Sequence, residues 1–123
     1  MKQPRTQRMT IEELVTAYTA YALEQDEAML REEQARANAL VFTLKAIEDE
    51  LKTRPDDQRA ALMRLYDHPN AQVRLNAIRA TLAVAPVKAR AALAALANSK
   101  EYPAAGDAGM SLWALEQGIY KPS

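Results

Sequence analysis

The sequence predicts an all-α fold, and three observations lead there. Glycine occurs only at positions 106, 109 and 118, β-branched residues nowhere alternate with polar ones over a strand's length, and apolar residues recur at helical spacing along almost the whole chain. With 123 residues, 49% of them apolar, one modest core is within reach. The pattern divides into about six helices, arranged as antiparallel pairs.

The first helix begins at a capping box, with Thr10 as N-cap and Glu13 three residues on, and Met9 and Leu14 are placed as a hydrophobic staple. Ile11, Leu14, Val15, Tyr18, Tyr21, Ala22, Ala28 and Met29 then share one face. Gln25 lies inside that face, where a buried amide must find partners. A second stripe, Ala37, Leu40, Val41, Leu44, Ile47 and Leu51, is rotated by about 100° from the first if the helix continues, which places a break near residues 31–33. Two antiparallel helices of about 20 residues each follow, or one kinked helix, since no Gly or Pro marks the turn. Asn38, at the edge of the second stripe, can reach back toward that turn.

Pro55 stops the second helix, and Asp56 or Asp57 caps a third that carries Leu62 and Leu65 to Tyr66. Asp67, His68 and Pro69 then form a turn, Asn70 serves as N-cap, and a fourth helix covers residues 71–85. That helix is apolar on two sides, with Val73, Ala77, Ala80 and Val84 on one line and Leu75, Ile78 and Leu82 on another. Pro86 suits the first turn of a fifth helix through Ala97, residues 98–106 read as loop, and Asp107 caps a sixth helix ending at Gly118.

Sixteen basic side chains balance sixteen acidic ones, so no overall field draws the chain to nucleic acid or to an anionic membrane. Residues 1–8, MKQPRTQR, carry positive charge with no apolar run behind them and read as a disordered tail before a single domain over 9–123. Cysteine is absent, which suits a reducing, cytoplasmic setting, and no apolar run reaches membrane-spanning length. The acids of Glu48-Asp49-Glu50 read as mostly solvated, Asp56 and Asp57 as caps. No calcium-loop or H-E-x-x-H pattern stands in the chain, so neither metal nor cofactor is expected.

Short paired helices joined by Asp67, Pro69, Val73-Arg74 and Ala77 resemble a HEAT-type repeat over residues 57–84, with a degenerate second copy over 86–118. Over nearly its whole length the chain also resembles a small bacterial domain family of unknown function with HEAT-like helices. Leu14, Tyr18, Ala22, Asn38, Leu62, Leu65, Asp67, His68, Val73, Arg74, Ala77, Leu93, Leu96, Leu112 and Gly118 carry that likeness. It implies a short α-solenoid and no established activity. Where it calls for a small turn residue near position 32, this chain has Glu32-Glu33. In such stacks an inner helix touches both its partner and the next repeat, which accounts for two apolar faces.

What remains of the fourth helix is a narrow polar strip, Gln72, Asn76 and Arg79, expected to face a bound partner on the concave side. Arg74 is expected to bond the turn acid or a neighbouring repeat, and His68, the one histidine, to bond backbone rather than to act in catalysis. Trp113 lies off the apolar line of the last helix and either covers the end of the stack or anchors a partner. The function expected is therefore a non-enzymatic protein-interaction module. The alternatives are a relative of HEAT-like DNA glycosylases, a toxin-neutralising partner protein, and a homo-oligomer using the uncapped end of the stack.

Overall fold

The computed structural model describes residues 5–123, and among these every regular element is helical. Five α-helices occur in order: α1 Ile11–Leu30, α2 Gln34–Thr53, α3 Ala71–Thr81, α4 Pro86–Ala97 and α5 Ala104–Glu116. Two 3₁₀ segments accompany them, Thr6–Arg8 and Gln58–Asp67. The described residues fall into two compact units, one ending at Ala61 and one running from Leu62 to Ser123.

The first unit is an antiparallel hairpin of α1 and α2. Thr10 and Glu13 form the capping box in full, the Glu13 amide donating to Thr10 Oγ1 at 3.1 Å and the Thr10 amide to Glu13 Oε1 at 2.9 Å. Leu14, Tyr18, Ala22 and Gln25 are buried along α1, and Leu40, Leu44, Ile47 and Leu51 along α2. Two expected stripe members, Met29 and Val41, stay exposed, and Thr43 is buried instead with its hydroxyl donating to the Ala39 carbonyl. The break expected near residues 31–33 is a Schellman turn, in which the Glu33 amide bonds the Ala28 carbonyl at 2.8 Å and the Glu32 amide bonds that of Met29 at 3.1 Å. Glu32 holds the left-handed position, φ 57°, that glycine would ordinarily fill. The chain therefore turns without the expected small residue.

The tail expected over 1–8 is ordered from Arg5 onward, while residues 1–4 lie outside the described ones. Arg54 donates to the carbonyls of Thr6 at 3.1 Å and Met9 at 2.7 Å, and its Nε meets Glu50 Oε2 at 2.6 Å, so the end of α2 clamps the segment before α1. Glu50 is thus structural, and so is Glu48, whose Oε2 accepts from the Tyr18 hydroxyl at 2.7 Å. Only Asp49 in that acidic run, paired with Lys45, is solvated as expected. Burial pushes the Glu48 carboxyl above the usual glutamate range, against the opposing pull of the Tyr18 bond.

The expected third helix is 3₁₀ rather than α over Gln58–Asp67. Residues three apart align in that geometry, and Leu62 and Leu65 are both buried along one edge. In the second unit α3 packs against α4 and α5, and α4 packs against α5. Leu75, Ile78 and Leu82 meet Ala89, Leu93, Leu96, Ala104, Ala108 and Leu115 in one core. The α-helical part of α3 stops at Thr81, short of the expected residue 85. Pro86 occupies the first turn of α4 as expected. The last helix begins at Ala104, not after Asp107, which sits in its first turn with its amide bonded to the Pro103 carbonyl.

Two stability changes follow. Glu32→Gly removes the Cβ penalty of the left-handed turn and should stabilise the chain by about 0.5–1 kcal/mol in chemical denaturation, whereas a loss would show that Glu32 carries a compensating contact. Glu48 binds its proton more tightly folded than unfolded, so its contribution is full below pH 4.5 and is lost as pH rises through the higher folded value. Glu48→Gln should therefore be the more stable form at neutral pH, with the advantage shrinking as pH falls through the raised folded value toward 4.5 and levelling off below it. An advantage that instead grew on acidification would contradict the assignment.

Candidate interaction site

Helix α3 starts where the sequence places it. Asn70 caps it by accepting from the amides of Gln72 at 2.9 Å and Val73 at 3.0 Å, and His68 Nδ1 accepts from the Asn70 amide at 3.0 Å. His68 thus bonds backbone, as expected of a lone histidine in a capping turn. Asp67 and Pro69 lie exposed in the same turn, and Val73, Leu75, Ala77, Ile78 and Ala80 are buried, so both apolar lines of the helix are covered.

The polar strip of α3 is not free. Gln72 is only 5% exposed, a correction to its expected place on an open face, and its Nε2 donates to Asn76 Oδ1 at 2.9 Å. Arg79 crosses to α5, donating from Nε to Ser111 Oγ at 3.0 Å and from Nη2 to the Asp107 carbonyl at 3.3 Å. The physical reason is enclosure: a helix covered on two sides leaves its remaining polar groups within reach of neighbours, and they bond there.

Arg74 forms one wall of a cleft of about 300 Å³, lined also by Tyr66, Asp67, Ile78, Ala92 and Leu96. Its Nη2 donates to Glu101 Oε1 at 2.6 Å, so it reaches the loop before α5 rather than the turn acid Asp67. That bond holds the Glu101 carboxyl below the usual range. Arg74 Nε is buried with no hydrogen-bond partner, a cost the fold carries at this point. Tyr66 bonds Thr81, whose own hydrogen goes to the Ala77 carbonyl at 2.9 Å, so the phenol is the donor and is engaged within the unit. Burial raises the Tyr66 pKa. The cleft's polar atoms are largely committed to the fold.

Helix α5 is different. Ala104, Ala108, Ser111 and Leu115 face inward, while Met110 is 66% and Trp113 51% exposed. At about 100° per residue, Gly106, Met110, Trp113 and Gln117 fall within about 60° of one another on the outward side. The Tyr102 ring, also exposed, lies beside Gly106. A Schellman turn closes the helix at Gly118, φ 72°, with the Ile119 amide bonded to the Ala114 carbonyl at 3.0 Å.

A family model covers residues 12–116. The chain belongs to the DUF2019 family, a domain of unknown function. It is also similar to the protein RPA1889 from Rhodopseudomonas palustris CGA009, known from a crystal structure. Identity is 47%, the match covers 98% of this chain and 100% of that one, and the TM-score is 0.95. No functionally curated protein matches it.

In this DUF2019 chain, then, Trp113 alone among the expected partner-binding residues lies open, and its exposed neighbours Met110, Gly106 and Tyr102 were not singled out. The helical angle of Trp113 carried the signal for the first two. Nothing local pointed to Glu101 as the partner of Arg74, since the pairing spans 27 residues of sequence.

Arg74→Ala should cost about 1–2 kcal/mol in thermal or chemical denaturation, through the lost ion pair and the lost packing of its stem. Arg74→Met keeps the stem and removes the unpaired Nε–H, and should recover most of that loss. Equal destabilisation by both would place the whole effect in the Glu101 bond.

Proposed function

We propose that this DUF2019 chain is a non-enzymatic interaction module, built of HEAT-like helix pairs, that binds protein through the outer face of α5. The exposed pair Met110 and Trp113 carries this reading. Large apolar side chains one helical turn apart give a partner a desolvated contact of the kind that dominates binding energy, and tryptophan is the residue type most enriched there. The groups that could otherwise suggest chemistry support the same view. His68 accepts from backbone, Tyr66 bonds Thr81, and Arg74 is paired with Glu101.

Affinity capture from the native host, comparing the parent with Trp113→Ala, tests the proposal. A half-exposed tryptophan contributes modestly to folding, so the variant should keep its thermal midpoint within a few degrees and lose its co-eluting protein by about tenfold or more, equivalent to about 1.4 kcal/mol. Undiminished capture by a folded Trp113→Ala chain would contradict the α5 assignment. Binding of duplex DNA by the parent at physiological salt would favour the nucleic-acid reading instead.

A further inference from the structure

The cleft of about 300 Å³ in the second unit takes its walls from the end of the 3₁₀ segment, from α3 and from α4. A space of that size stands at the lower end of what ligands occupy, and suits one side chain rather than a large cofactor. Ile78, Ala92, Ala95 and Leu96 give it an apolar lining. The charged residues that line it are Asp67 and Arg74. Arg74 is committed to Glu101 at 2.6 Å. Asp67 is not committed. Asn70 takes the first amides of α3 in its stead, and among the described residues no hydrogen bond or ion pair engages the Asp67 carboxylate. Since Arg74 and Glu101 balance, Asp67 leaves one uncompensated negative charge beside the apolar lining.

We propose that this cleft binds a primary alkylammonium group, its nitrogen on the Asp67 carboxylate and a stem of about four carbons along Ala92, Ala95 and Leu96. A compact ammonium suits a single carboxylate, whereas a guanidinium calls for a flat, two-pronged partner and would set a second positive charge beside Arg74. The chemistry is shared by the lysine side chain of another protein and by a free aliphatic amine. Asp67 is exposed, so the ion pair alone is weak and burial of the stem supplies the rest. The site makes no use of the outward face of α5, so its test is separate from that of the proposed function.

Titration with n-butylammonium chloride at constant ionic strength, followed by amide NMR, tests the site. The amides of Asp67, Ala92, Ala95 and Leu96 should shift saturably, with a Kd of about 1–20 mM. Methylammonium has the charge without the stem and n-butanol the stem without the charge, so each should bind at least about fivefold more weakly. Asp67→Asn should keep the fold and bring n-butylammonium down to the level of n-butanol. A short peptide with one lysine and both termini blocked separates the two sources: tighter binding than n-butylammonium marks a protein lysine, and weaker binding marks a free amine. Absence of saturable shifts up to about 100 mM overturns the proposal. Binding that Asp67→Asn leaves unchanged, or n-butanol binding as tightly as n-butylammonium, overturns it equally.

Discussion

Enclosure of α3 is the constraint on which the second unit depends. Val73, Leu75, Ala77, Ile78 and Ala80 are buried together, and a helix covered on two sides brings its remaining polar side chains within bonding reach of neighbours. Arg79 therefore ties α3 to α5 through Ser111 and the Asp107 carbonyl, Arg74 reaches Glu101 ahead of α5, and Gln72 turns to Asn76. These bonds fix where α5 begins and how it lies on the core formed by Leu75, Ile78, Leu93 and Leu115. The inward face of α5 is set by this arrangement, and its outward face, with Met110 and Trp113, stays exposed.

Much of the fold was legible because its signals are local. The capping box at Thr10 and Glu13, Asn70 as a cap, Pro86 in a first turn and Gly118 after a last one each act over a few residues, and each stands where the pattern put it. The hairpin break was legible from a phase shift between two stripes, although its turn is made by Glu32 in a left-handed conformation. Composition misled where it stood in for geometry. Residues 98–106 looked like loop, yet α5 begins at Ala104. Asp107 looked like a cap, yet it lies within the first turn.

The site was less legible for a reason in the physics of buried polar groups. A helical projection locates Gln72, Asn76 and Arg79 outside both apolar lines, but it cannot say whether a third element arrives to meet them. Ser111 is 32 residues from Arg79. Long side chains span such gaps, so a polar strip on a short helix is as readily a set of bonds between helices as a binding surface. The outward face of α5 was within reach of the same projection, since Trp113 was already seen to lie off the apolar line. Residues 98–106 read as loop by composition, which assigns Gly106 to the loop rather than to a position on that face.

The claim that the polar residues of α3 are consumed by the fold is tested most directly by nitrogen-resolved NMR of the arginine side chains at mildly acidic pH. Arg79 Nε–H, bonded to Ser111, and Arg74 Nε–H, buried away from water, should give dispersed resonances that exchange with solvent more slowly than those of the exposed Arg31 and Arg90. Exchange of Arg79 and Arg74 as fast as that of the exposed arginines would mean that the strip is open, and the account of α3 as an enclosed helix would be contradicted.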